Sequence, residues 1–340
     1  MSLTPEEEKI LKSIVVQSEN DPNNPEFPPD RPKFPATPTY QIKVPGFSDV
    51  WLKDESVNPT GTHKDRMAWE IVVTYRLFLQ AKKNGLIDRQ LPQMSIISNG
   101  TAAIAIQTQL RKYHLPPLKV LIDASLDESI AAALKRLGCE VYETSLNTKP
   151  FHWKDILALT HNAEGFDITS AEALEPTTRF YDWMSYEILN SSPAYCFIPF
   201  GTGNLYENIL NINKREVSSW HHDPRFKGEV SILRKCNFFG ATTNNPRSKA
   251  DKLYSPHLPF VHYDEQWIKF YRYAAFCGPE SNVFLLKEGF LEEALALAER
   301  QGIRCEPSGI AGLALMLQLK ETLPKDRKML IVNTGKTKYP

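Results

Sequence analysis

No stretch of the 340-residue chain approaches the run of about eighteen apolar residues that marks a membrane-crossing helix, so no membrane span is expected. Lys and Arg total 40, and Asp and Glu total 40. The chain therefore lacks the basic excess that phosphate-backbone binding requires, and nucleic acid is not an expected partner. Cysteine is sparse: Cys139, Cys196, Cys236, Cys277 and Cys305 are scattered, with no C-x-x-C pair among them. That spacing argues against a zinc ribbon, and no metal is expected. The five read instead as small buried hydrophobes in a reducing, cytoplasmic compartment. The His221-His222 doublet has no third ligand beside it and reads as a surface loop. Met1 to Ile10 is acidic and has no apolar h-region, so a secretory signal is not expected there.

What is present is an ordinary globular composition, 42% hydrophobic and 24% charged, on a chain long enough for two lobes. Thr4-Pro5-Glu6-Glu7 starts a helix, with Thr4 as cap, Pro5 at the first helical position and Glu7 closing a capping box. That helix is expected to run to about Val16. Residues 18–39 hold seven prolines and read as an extended arm. From Gln41 onward, strands and helices alternate. Strands are expected at Val50–Lys53, Met94–Ser98, Lys119–Asp123, Glu140–Thr144, Tyr195–Pro199, Glu229–Leu233 and Met329–Asn333. Helices are expected at His63–Gln80, Thr101–His114, Asp127–Leu137, Thr177–Leu189, from about Leu205, and at Asp264–Phe276, Lys287–Arg300 and Ser308–Thr322. Gly138 and Gly302 end two of these helices. Such alternation implies an α/β fold with parallel-type sheets flanked by helices, two lobes and a cleft between them. No role is assigned to residues 214–262.

Three glycine-bearing turns, each at a strand end, carry the chemistry. Asn58-Pro59-Thr60-Gly61-Thr62-His63-Lys64-Asp65-Arg66 places a lysine at the start of a helix, where the dipole disfavours further positive charge. A neutral amine there can attack an aldehyde and form a Schiff base. Ser98-Asn99-Gly100-Thr101 sets small polar residues at a helix N-terminus, a nest for a carboxylate. Gly201-Thr202-Gly203-Asn204-Leu205 lets the backbone approach an anion before a further helix. It lacks G-K-[ST] and the third Rossmann glycine, so a nucleotide-binding module is disfavoured. A Schiff-base lysine, a carboxylate nest and a phosphate cup are together the parts that hold pyridoxal 5'-phosphate and an amino acid.

These residues resemble the fold-type II pyridoxal-phosphate enzymes, the tryptophan synthase β-subunit-like superfamily, and most closely threonine synthase and its relatives. Asn58 to Arg66 is similar to N-P-T-G-S-x-K-D-R, while His63 matches the G-A-H-K of tryptophan synthase β. Glu306-Pro307-Ser308-Gly309-Ile310-Ala311-Gly312-Leu313 matches E-P-S-G-x-A-G-L, and Asn333-Thr334-Gly335 falls at the family's strand-end T-G. The resemblance implies that Lys64 carries the cofactor and is catalytic. It puts His63, Asn99, Thr101, Gly201, Thr202, Gly203, Asn204, Leu205, Glu306 and Thr334 around the cofactor, with Thr334 at the ring nitrogen. It puts Thr62, Ser98, Asn99, Gly100 and Thr101 around the substrate. Two departures stand out: Asn99-Gly100-Thr101 stands where the family has Gly-Asn, either a swap or a one-residue deletion, and Lys336-Thr337-Lys338 replaces H-G-L-K.

The implied organisation is an arm over 1–40, a large cofactor-binding domain over 41–92 and 195–340, and a smaller α/β domain over 93–194, with the cofactor in the interlobe cleft. The implied activity is elimination or replacement on an amino-acid substrate by a homodimer, threonine synthase-like. The alternatives are a serine/threonine dehydratase, a cysteine or cysteate synthase-like β-replacement, or a catalytically silent cofactor-binding scaffold.

Overall fold

The computed structural model describes residues 4–13, 36–88, 90–146, 151–169, 180–254 and 282–339. Its strands are β1 (Thr39–Ile42), β2 (Val50–Asp54), β3 (Met94–Ile97), β4 (Lys119–Asp123), β5 (Glu140–Thr144), β6 (Phe166–Asp167), β7 (Tyr195–Pro199), β8 (Asn237–Thr242), β9 (Val283–Leu285) and β10 (Met329–Asn333). Its α-helices are α1 (Pro5–Ser13), α2 (Lys64–Lys83), α3 (Thr101–Lys112), α4 (Glu128–Leu137), α5 (Trp153–Leu159), α6 (Asp182–Asn190), α7 (Asn204–Ser218), α8 (Val230–Leu233), α9 (Glu288–Arg300) and α10 (Ala311–Gln318).

The strands form two sheets. One runs β1-β2-β10-β7-β8-β9, parallel throughout except for the antiparallel β1–β2 pair; the other runs β5-β4-β3-β6 and is wholly parallel. All five residues of β10 are buried, which is why Met-Leu-Ile-Val shows no alternation: helices cover both faces of a parallel sheet. The large core cluster runs from Met67 and Ile71 of α2 through Ile104 and Ile106 of α3 to Ile198 of β7 and Val332 of β10. Helices α2 and α3 thus join the two sheets into one packed body.

Most expected elements are present at the expected places, and the capping box at the first helix is closed. Glu7 N–H donates to Thr4 Oγ1 at 3.2 Å, and Thr4 N–H donates to the Glu7 carboxylate at 2.9 Å. Several expectations need correction. Glu229–Leu233 is not a strand: Ile232 and Leu233 N–H both donate to the Glu229 carbonyl, making the single turn α8. The strand beside β7 is instead β8, where Asn-Phe-Phe-Gly hides any period of two. The Ser308–Thr322 helix is confined to Ala311–Gln318; the first helix is described over Pro5–Ser13, and residues 14–16 of its expected span lie outside the described residues. The supposed arm contributes its last residues to the sheet as β1, and Thr37 is buried. The expected helix Asp264–Phe276, and residues 18–35 of the arm, lie outside the described residues. So do residues 177–179 of the expected Thr177–Leu189 helix; Phe180 and Tyr181 form a turn, and the helix itself runs Asp182–Asn190.

Candidate active site

The carboxyl ends of β2, β3, β6, β7 and β10 converge on one cavity of about 180 Å³, the place where parallel α/β sheets put ligands. Each strand delivers a different segment. The loop after β2 brings Thr62, His63 and Lys64; the loop after β3 brings Ser98, Asn99 and Thr101. The loop after β7 brings Gly201 to Leu205, and the end of β10 brings Thr334. Glu306 and Ser308 complete the wall from the turn before α10. Of the fourteen residues that the resemblance puts around cofactor or substrate, all line this cavity except Gly100. That glycine sits behind the wall, where its N–H donates to Ser98 Oγ at 3.1 Å and an added Cβ would lie 2.9 Å from Ile130.

The lysine loop is welded to the chain terminus by backbone contact. His63 N–H donates to the Thr334 carbonyl at 3.1 Å, Lys336 N–H to Gly61 at 2.8 Å, and Glu306 N–H to Gly335 at 3.1 Å. Only glycine allows this approach. A Cβ at Gly335 would lie 2.1 Å from the Gly61 carbonyl oxygen, and one at Gly309 would lie 2.2 Å from the Gly335 oxygen. Three segments far apart in sequence are thereby fixed within one strand width of each other.

Helix α2 begins at Lys64, and its 100° step sorts the residues that follow. Lys64 and Met67 face the cavity. Asp65 turns back, and its Oδ2 accepts from Thr60 N–H at 3.0 Å and from Thr60 Oγ1 at 2.8 Å. Burial pushes the Asp65 pKa up. Arg66 points inward. Its Nε donates to Glu55 at 3.1 Å, and its terminal nitrogens donate to Glu187 of α6 at 2.8 and 2.9 Å. Lys53 Nζ reaches the same Glu187 at 2.5 Å. Two cations and two carboxylates thus close on each other. Burial alone would raise the Glu55 pKa, but Arg66 and Lys53 outweigh it and hold the group below its ordinary 4.5.

On the cavity side the polar groups are left open. Burial, with the charge of neighbouring Lys64, lowers the His63 pKa to about 3, so the imidazole is neutral. Among the described residues its Nδ1, shut off from solvent, meets no partner. Gly203 adopts φ +84° as N-cap of α7, and a Cβ there would lie 3.1 Å from the Phe200 ring. The first N–H groups of α7 have no partner within the helix, because no carbonyl precedes them. Lys64 Nζ donates to Tyr181 Oη at 2.9 Å. Glu306 does not cap the following helix: its carboxylate takes the Lys252 ammonium at 2.6 Å and the Thr337 N–H at 3.4 Å. Thr337 Oγ1 in turn bonds Thr101 Oγ1 at 3.0 Å and accepts from Lys252 Nζ at 3.0 Å.

Lys252, Thr337, Tyr181 and Thr169 are the functional candidates that the sequence did not reveal. Lys252 lies in the stretch that was given no role. Nothing in its surroundings distinguishes it from a surface lysine until β8 carries the chain past Gly201. Thr337 occupies the departure from H-G-L-K, the one local signal that pointed toward it.

These residues fit pyridoxal phosphate on their own chemistry. An α-helix N-terminus preceded by glycines, with an unpartnered imidazole nitrogen in the same wall, suits a phosphate. An amine in that wall suits an aldehyde, and Thr334 offers a neutral hydroxyl at the end of the central strand. The comparisons agree. Residues 33–216 match the model of the pyridoxal-phosphate dependent enzyme family. No curated protein matches the chain. Among solved structures, O-ureido-L-serine synthase superposes with TM-score 0.61 at 17% identity, covering 89% of each chain. Serine racemase from maize gives 0.61 at 14% identity, covering 89% of this chain and 88% of that one. Threonine deaminase from Solanum lycopersicum gives 0.54 at 16% identity, covering 85% and 79%.

The fold is that of the type II pyridoxal-phosphate enzymes. The chain belongs to the pyridoxal-phosphate dependent enzyme family, and its cofactor is pyridoxal phosphate. No helix among the described residues is long and apolar enough to cross a membrane.

Proposed function

We propose that this protein eliminates or replaces a leaving group on the side chain of a small amino acid, with the cofactor carried on Lys64. The first candidate is departure of phosphate or a comparable anion, as in threonine synthases. One observation carries the reading. The only carboxylate in the wall among the described residues, Glu306, is locked to Lys252 at 2.6 Å, while the strand-end residue Thr334 is a neutral threonine. No free carboxylate is left to hold a ring nitrogen protonated. When bound, the cofactor draws electrons from the substrate's α-carbon, and without a protonated ring that withdrawal favours expulsion of a leaving group over amino transfer.

The protein's own residues divide the remaining tasks. The turn at Ser98–Thr101 receives the substrate carboxylate. The amine of Lys64, once free, takes the α-proton on Nζ. The N-terminus of α7, with His63, anchors the cofactor phosphate. Lys252 Nζ is the only cation in the described wall besides Lys64; Glu306 neutralises its charge and, with Thr337, engages two of its three N–H donors, and the third is proposed to receive a departing anion. A cytoplasmic homodimer is the form that the family resemblance leads us to expect.

The test is a substrate screen on the purified holoenzyme. O-phospho-L-homoserine, O-phospho-L-serine, O-acetyl-L-serine, L-serine and L-threonine are offered in turn, while the cofactor spectrum and released phosphate, acetate or keto acid are followed. Phosphate release, weakened at least tenfold in Lys252→Met, is the expected result. Keto acid from serine or threonine identifies a dehydratase instead. Absence of any spectral change overturns catalysis in favour of a cofactor-binding scaffold.

A further inference from the structure

Lys64 has a partner that the cavity wall does not include. Tyr181, the residue just before α6, is 1% exposed, and its hydroxyl lies 2.9 Å from Lys64 Nζ. It does not line the cavity, so it meets the amine from behind. Its ring lies beside His63, with centroids 5.4 Å apart and planes 30° apart. Among the described residues the only further acceptor for its hydroxyl proton is Met67 Sδ at 3.9 Å, and thioether sulfur is a weak acceptor. The hydroxyl is therefore free to play either part toward the amine. It accepts from a charged Lys64 and donates to a neutral one. Its position is not accidental to the fold: α6 also carries Glu187, which Arg66 and Lys53 clamp to the lysine loop at 2.8 and 2.5 Å. The same ion cluster that braces the loop thus fixes the distance between Tyr181 and Lys64.

We propose that Tyr181 is the positioning residue for the Lys64 amine, holding it by one hydrogen bond whenever it is not joined to the cofactor and relaying its proton. The inference rests on Lys64 being the cofactor lysine. Joining that amine to an aldehyde forms a carbon–nitrogen bond, sends both amine hydrogens to the aldehyde oxygen and releases it as water. A hydroxyl that both accepts and donates beside Nζ assists each of those proton movements.

The experiment compares wild-type protein with Tyr181→Phe, which keeps the ring against His63 and removes only the hydroxyl. Cofactor-free protein is mixed with pyridoxal 5'-phosphate, quenched with borohydride at intervals and digested, and label on the Lys64 peptide is counted. In parallel, affinity for 4'-deoxypyridoxine 5'-phosphate is measured, because this analogue fills the site but has no aldehyde to react with Lys64. The inference predicts linkage about fivefold to tenfold slower in Tyr181→Phe, the effect of one hydrogen bond, with analogue affinity unchanged. Equal linkage rates overturn it. A parallel loss of linkage and analogue affinity also overturns it, since that marks a packing role only. If wild-type protein takes no label at Lys64, both this inference and the proposed function fall. If only the two rates coincide, the function stands and the role of Tyr181 is lost.

Discussion

Glu55 and Asp167 are both buried carboxylates at strand ends, at 0% and 3% exposure, and the protein treats them oppositely. Glu55, just after β2, meets two cations and stays ionised below its ordinary pKa. Asp167, the last residue of β6, meets none among the described residues. Its Oδ1 accepts from Thr169 N–H at 2.9 Å and from Thr169 Oγ1 at 2.5 Å, and its Oδ2 has no partner among the described residues. Burial pushes its pKa up to about 7, and the Thr169 bonds only partly offset the rise. The first carboxylate braces the lysine loop in charged form. The second lies two residues from Thr169 in the cavity wall and is charged only at a cost. Compensated charge marks the frame of this molecule, and uncompensated polarity marks the neighbourhood of its cavity.

The comparison breaks most visibly at the frame. Arg66→Met leaves Glu55 and Glu187 with a single cation, and unfolding in urea is expected to show a loss of about 3–5 kcal/mol, the usual penalty for stranding a buried charge. Pairing it with Glu55→Gln should recover part of that loss. An unchanged midpoint in the single variant contradicts the brace.

Asp167 sharpens the contrast through pH. Its folded pKa of about 7 stands above the ordinary 3.8. Between those values the native state holds more protons than the unfolded one, so stability falls as pH rises through that window and levels off above it. Three pKa units correspond to on the order of 4 kcal/mol. Asp167→Asn should remove this fall, and a variant whose stability tracks wild type from pH 4 to pH 8 refutes the assignment. Glu55 acts in the reverse sense: its folded pKa lies below 4.5, so its contribution is complete above that pH and is lost as pH drops through the folded value.

The smallest effect is expected at His63. His63→Leu removes the unpartnered Nδ1, and affinity for 4'-deoxypyridoxine 5'-phosphate should fall about tenfold, the value of one hydrogen bond to a charged group. Because the imidazole is already neutral above pH 4, that loss should be independent of pH from 6 to 8.

Much of the cavity was legible in the sequence because its parts are local. A turn, a helix start and their small residues can be read within nine positions, as at Asn58–Arg66, and the structure brings thirteen of the fourteen named residues to one wall. Gly100 is the one of the fourteen that stands behind the wall, where it shapes the backbone of the turn. Tyr181 and Lys252 were invisible for another reason: 117 positions separate Tyr181 from Lys64, and 54 separate Lys252 from Glu306. No periodicity records such meetings; the sheet order creates them. The fold behaved alike. The apolar run of β10 and the capped helices announced themselves, whereas β8 and the turn at α8 depended on which strand lies beside β7.

The most direct measurement is the site of covalent attachment. Purified protein saturated with pyridoxal 5'-phosphate, reduced with borohydride and digested, should carry one label per chain on the peptide containing Lys64, and Lys64→Ala should carry none. Label on a different lysine, or no label on wild-type protein, contradicts the assignment of that amine as the cofactor's anchor.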